Sequence, residues 1–280
     1  MLKTIVDLFH SWLRGICLGL ILFGIAWFNS PGLLLAQPEI ATPEVQLQQL
    51  EEIGQAAMQA MQNGDFEQAE KAWTQMLELF PDNPAAWSNR GNVKAGQYKL
   101  QEAMADYNRA IELAPNFPDS YLNRGVTLEA LGQWQAAIAD YDKVLQLDPV
   151  DPSALNNRGN AKAGLGDWSG AIADYRQAAE LDPSYLLAAI NYDLALYQIG
   201  ETELATRKLK SLVRKYPNFA DARAALTAAL WSNGKQGEAE SQWVAVIGLD
   251  RRYKDLNWVA KMRRWPPSLV SALDNFLRLQ

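Results

Sequence analysis

Three arginines and three aspartates stand in matched register: Arg90, Arg124 and Arg158 recur every 34 residues, and Asp106, Asp140 and Asp174 each follow sixteen residues later. Guanidinium and carboxylate at a fixed offset make ion pairs, and a carboxylate already neutralised by its own cation is a poor catalytic acid or base. Where one member is missing, so is the other: Ala56 with Ala72, Tyr192 with Lys208, Leu226 with Gln242. The pairs therefore read as structural, joining two helices. A second column is made of primary amides, Asn89, Asn123, Asn157 and Asn191, with Asn92, Asn156 and Asn160 beside them. A primary amide both donates and accepts, so a column of them can hold an extended peptide backbone without reading its side chains.

The remaining chemical toolkit is thin. The chain has one histidine and one cysteine, His10 and Cys17, and both lie in the first 20 residues. If that segment is removed, histidine bases, thiol nucleophiles, disulfides and Cys/His metal sites go with it. No glycine-rich phosphate loop, metal-ligand cluster or nucleophile–base pair is present, so neither a cofactor nor an enzyme is expected. Hydrophobic residues at 49% and charged residues at 21% allow a buried core and exclude chain-wide disorder. The net charge of −6 argues against general nucleic-acid binding, which needs a basic footprint to displace counterions from phosphates. Its spread is uneven, acidic over residues 50–83 and basic over 250–280.

The first 36 residues read as an address. Lys3 and Arg14 precede an unbroken apolar run from Gly15 to Phe28; Asn29-Ser30-Pro31-Gly32 interrupts it, and Ala36 closes the segment. A basic start, a short apolar stretch and a small residue at the cut describe an export signal, removed after Ala36. The rival reading is an uncleaved anchor that runs through Ala36 and carries Pro31 inside the span. Positive charge before the apolar run places the body on the far side of a membrane in either case, in the periplasm or a thylakoid lumen. Residues 37–49 then serve as a linker and the start of a first helix.

From residue 50 the chain repeats itself every 34 residues without insertion, as 50–83, 84–117, 118–151, 152–185, 186–219 and 220–253. Position 20 of each unit is alanine, from Ala69 to Ala239; position 32 is proline in five units; position 24 is large, as in Trp73, Tyr107, Tyr141 and Tyr175. Small residues at positions 8 and 20 let two helices approach closely. The bulky residue at 24 fills the space between units, and proline at 32 ends the second helix because it lacks an amide donor. Glycine at position 15 suits the turn between helices. Ala86-Trp87-Ser88-Asn89-Arg90-Gly91 with Gln101-Glu102-Ala103 and Glu112-Leu113-Ala114-Pro115, and the run from Pro118 to Gly125, resemble the tetratricopeptide repeat family. The resemblance implies an all-α, right-handed solenoid of six helix–turn–helix units with a concave groove and a C-terminal capping helix. It places the column of Asn89, Asn123, Asn157 and Asn191 on the first helices, facing that groove. Relatives that clamp a chaperone's carboxylate tail need cations where Ser88, Ser153 and Asn157 stand, so that ligand is not expected here.

Residues 254–280 form a basic cap. Ser268 can start a short last helix with Leu269, Val270, Leu273, Phe276 and Leu277 on one face, a lid over the open end of the stack. Trp258, Arg263, Arg264 and Trp265 are the residues that could instead contact a partner or a membrane surface. Leader, repeats and this Arg-Arg-Trp-Pro-Pro tail together resemble exported repeat proteins of the thylakoid lumen in photosynthetic lineages. The expected function is an exported protein–protein interaction scaffold that binds an extended segment of a partner and serves the assembly of a membrane complex. The alternatives are a self-associating cell-envelope protein or a membrane-surface binder through the tail.

Overall fold

The computed structural model of the protein describes residues 43–279. The export signal over 1–36 and the linker to residue 42 lie outside the described residues. The chain divides into two compact units, one ending at Pro81 and the other beginning at Asp82. Among the described residues all regular structure is helical.

The first unit is a single hairpin of α1 (Pro43–Gln62) and α2 (Phe66–Leu79). Helix α1 starts seven residues ahead of Leu50, where the repeat frame begins. Gly64 takes the left-handed conformation at the turn, with φ 73°. Asp65 then accepts the Gln68 amide at 3.0 Å, which satisfies one of the donors a helix start leaves open.

The second unit carries five further hairpins in strict register. Their first helices are α3 (Pro84–Gly96), α5 (Pro118–Ala130), α7 (Pro152–Gly164), α9 (Leu186–Gln198) and α11 (Ala220–Ser232). Their second helices are α4 (Leu100–Leu113), α6 (Trp134–Leu147), α8 (Trp168–Leu181), α10 (Thr202–Lys215) and α12 (Gln236–Leu249). Pro84, Pro118 and Pro152 open three first helices, where a missing amide costs nothing and the fixed φ is already helical. Gly132, Gly166, Gly200 and Gly234 make the left-handed turns, but in the second repeat Tyr98 does so, at φ 62° with its side chain exposed.

Glycine at position 8 serves its own repeat. A Cβ built on Gly91, Gly125 or Gly159 would stand 2.6 Å from a ring carbon of Tyr107, Tyr141 or Tyr175, the position-24 residue of the same hairpin. The tyrosine ring therefore lies flush on the backbone of the facing helix, and its hydroxyl finds an acceptor at the far side. Tyr107 donates to Asn92 and Tyr175 to Asn160, each at 2.9 Å. Burial pushes the Tyr107 phenol up to about 12, so it stays a donor at neutral pH. The fifth repeat breaks this arrangement with Asp193 at position 8 and Leu209 at position 24, both buried.

After α12 come a turn of 3-10 helix (Arg251–Lys254), the short α13 (Leu256–Lys261) and α14 (Pro267–Leu277). Helix α14 lies against α11 and α9, the first helices of the last two repeats, and so occupies their shared face as well as closing the end. Leu269, Leu273 and Phe276 are fully buried there, with Phe276 edge-on to Trp231 and Trp243 at 5.2 and 5.3 Å. Ser268 does not cap this helix. Its amide and hydroxyl both donate to Gln198 Oε1, at 3.0 and 2.6 Å, so a side chain from another repeat satisfies the helix start.

Candidate functional site

Successive first helices of the second unit touch one another, α3 with α5, α5 with α7, α7 with α9 and α9 with α11, and together form one continuous face. The asparagine column sits on it. Asn89, Asn123, Asn157 and Asn191 are all half-exposed, but they are not equivalent. Asn191 donates to Asn156 at 2.9 Å and to Asn160 at 3.3 Å, and Asn157 accepts from Asn156 at 3.2 Å. Asn156, expected to add to the polar lining, is 3% exposed and works as a buried link between repeats. Asn92 and Asn160 are held by the tyrosine hydroxyls. The side chains of Asn89 and Asn123 make no hydrogen bond to another described residue.

The arginine column lies one residue further round the same helices. Arg90 meets Asp106 through two bonds of 2.8 Å. Arg124 meets Asp140 at 2.8 and 2.6 Å, and Arg158 meets Asp174 at 2.9 and 2.7 Å. These are two-pronged contacts whose aspartate side chains are only 4–7% exposed, so solvent screens them little. The hydrogen bond from Asp140 holds the Arg124 guanidinium above its usual range. Lys94 and Lys162 supply second cations to Asp106 and Asp174 at 2.9 and 2.7 Å. A further link was not legible in the repeat: Arg124 also reaches Asn108, and Arg158 reaches Asp142, each at 2.7 Å in the preceding repeat.

Of the tail residues Trp265 is buried, Trp258 and Arg263 are half-buried and Arg264 is exposed, and both arginines are paired with carboxylates of the repeats. Trp265 is 4% exposed and donates its indole N–H to Asp221 at 2.9 Å. Arg263 pairs with the same carboxylate, and the Tyr253 hydroxyl donates to it at 2.8 Å. Trp258 stands edge-on to Tyr253, with Arg252 over its face at 4.6 Å. Arg264 reaches back to Glu129 on α5, a buried carboxylate that also accepts the Tyr141 hydroxyl. Burial pushes the Glu129 carboxyl up, while Tyr141 and Arg264 pull it back down. A cleft of about 320 Å³ remains between Asn157 and Asn191 on one side and Arg263, Arg264 and Pro266 on the other.

Glu129, Gln198 and Asp221 had no place among the expected site residues. They occupy different positions of their repeats and form no column. The signal that could have exposed Glu129 is its register: the same position is Ala95 and Ala163 in the flanking repeats, so a lone acid there stands out.

The tetratricopeptide repeat family matches residues 55–119, 95–154 and 132–195, together half of the chain. Among solved structures, a tetratricopeptide repeat protein from Parabacteroides merdae ATCC 43184 superposes with a TM-score of 0.64 at 20% identity, over 83% of this chain and 98% of that one. The pilF protein of Pseudomonas aeruginosa gives 0.64 at 16% identity, over 76% and 98%. YrrB, described as a tetratricopeptide repeat protein with an unusual peptide-binding site, gives 0.52 at 18% identity, over 70% and 100%. No curated protein matches the chain in sequence.

Proposed function

This chain belongs to the tetratricopeptide repeat family, and on that footing we propose that it is a non-catalytic scaffold holding an extended segment of another protein on its first-helix face. The observation that carries the reading is the pair Asn89 and Asn123, amides in register on neighbouring repeats, half-exposed and with their donors and acceptors unspent. They suit a peptide backbone, whose own donors and acceptors they can meet without reading side chains. The peptide-binding site ascribed to YrrB supports this use of the fold. The basic-then-apolar start of the chain supports export of the body across a membrane, and assembly of a membrane complex is the task that suits a scaffold there.

The test is affinity capture from detergent-solubilised membranes with the chain and with a variant carrying Asn89→Ala, Asn123→Ala, Asn157→Ala and Asn191→Ala. A partner held by the native chain and lost by an equally helical variant is the expected result. Equal retention by both removes the amide column from the reading. Fractionation of intact cells tests the location, and recovery of the body in the cytosol ends the export proposal.

A further inference from the structure

The first-helix face of repeats three to six already holds a peptide, namely the chain's own residues 262–268. It has no regular structure over residues 264–266, and Pro266 is extended at φ −65° and ψ 149°. Two adjacent cations within it go to two different buried carboxylates. Arg263 meets Asp221 on α11, and Arg264 meets Glu129 on α5, 135 residues away in the chain. Asp221 and Glu129 are 3% and 4% exposed. The backbone at Arg264 is left-handed, with φ 55°, a conformation that a non-glycine residue keeps only where its surroundings enforce it. Trp265 fills the space beside Asp221 and donates to it, and Ser268 is fixed by Gln198.

Under the seated tail Glu129 and Asp221 are buried carboxylates, and a carboxylate covered in this way needs a cation. That requirement selects what the face can take. The resident segment leaves room beside it: Arg264 keeps 44% of its side chain exposed, and a cleft stays open there. We propose that residues 262–268 are an internal competitor, and that the external ligand of repeats three to six is a protein segment of the same chemistry. Such a segment carries two consecutive cations followed by an aromatic ring and proline, read by Glu129 and Asp221. This rests on the reading of the first-helix face as the binding face. Acidic segments are rejected by the same two carboxylates.

The probe is a fluorescent peptide with the sequence of residues 261–268, followed by anisotropy. It is added to the full chain and to a full-chain variant with Arg263→Ala, Arg264→Ala and Trp265→Ala, which leaves α14 on Trp231 and Trp243. The variant is expected to bind the peptide at least tenfold more tightly than the native chain. It should ignore a peptide in which both arginines are glutamate, and lose at least tenfold on addition of Glu129→Gln. A helical variant that binds no peptide, or binds both peptides alike, overturns the proposal. If the triple variant does not fold, a chain with a protease site introduced at the exposed Lys254–Asp255 is folded first and cut afterwards. Uptake of the peptide by the cut chain and not by the uncut chain supports the proposal; a cut chain that stays folded and takes up none overturns it. A variant that refuses the basic peptide yet captures a partner through Asn89 and Asn123 ends this inference alone and leaves the wider reading standing.

Discussion

Asp193 makes the stability of the fifth repeat depend on pH in the direction opposite to most carboxylates. It stands where three preceding repeats have glycine, and it is 4% exposed. Burial pushes its carboxyl from 3.8 up to about 7, and the attraction of Lys208 offsets only part of that rise. Below about pH 3 the group is protonated in both the folded and the unfolded chain, so it contributes no pH dependence. Between pH 4 and 7 the unfolded chain releases the proton while the folded chain keeps it, and stability falls as pH rises. Above pH 7 the penalty is constant. A rise of roughly three pKa units at about 1.4 kcal/mol each sets an upper bound of about 4 kcal/mol. Asp193→Asn keeps the shape and removes the titration. Urea unfolding followed by circular dichroism at pH 4.5, 6 and 8 isolates the residue as the difference between the two proteins. The variant should gain about 2–4 kcal/mol at pH 8 and only about a quarter of that at pH 4.5. Parallel profiles, or a variant less stable than the native chain at pH 8, would refute the argument by showing Asp193 ionised and well paired with Lys208.

Three further changes probe the frame itself. Gly125→Ala drives a methyl into the fully buried ring of Tyr141 and should cost about 1–3 kcal/mol, read as a lower urea midpoint; an unchanged midpoint denies the close approach. Arg124→Met and Asp140→Leu should each cost about 3–5 kcal/mol alone, yet the double variant should recover most of it, because no charge is then left buried and unpaired. Additive losses in that cycle rule out the coupling. Tyr98→Gly should raise stability by about 0.5–1 kcal/mol, since glycine adopts the left-handed turn without the steric cost and gives back part of the gain in chain entropy. A thermal midpoint that falls instead would mean the exposed ring makes a contact worth more than its backbone strain.

How much of this was legible in the sequence depends on whether a feature repeats. The hairpins were, because a period of 34 without insertions sets every first helix and every second helix in the same register. The start of α1 was expected somewhere within residues 37–49, but its position at Pro43 was not, since those residues precede the period. The pairing of Arg124 with Asp140 could be read from the matched absences at Tyr192 and Lys208. Its second bond to Asn108 could not, because that position drifts through Asn108, Asp142, Arg176, Lys210 and Val244. The amide column was visible as residue type. Its division into a hydrogen-bonded half at Asn156, Asn160 and Asn191 and an unspent half at Asn89 and Asn123 needed coordinates. The seat of the tail was least visible, because a contact between Arg264 and Glu129 crosses 135 residues and obeys no period.

The bond from Arg264 to Glu129 has a mechanical side. A stack of repeats passes load only between neighbours, so its curvature is the sum of many small joints, each free to give a little. In repeats two to four those joints are stiffened by Arg124 and Arg158 reaching back to the hairpin before. The fifth repeat has Tyr192 in that place, and its joint to the fourth is made by the amides of Asn191, Asn156 and Asn160 together with the buried packing of Ala178 and Tyr175 on Ala188 and Ala195. Arg264 spans that joint as a chord spans an arc, tying the tail beyond the sixth repeat to the third. With the chord in place the arc keeps its radius. With it released, the curvature of repeats three to six rests on the joints between neighbours alone.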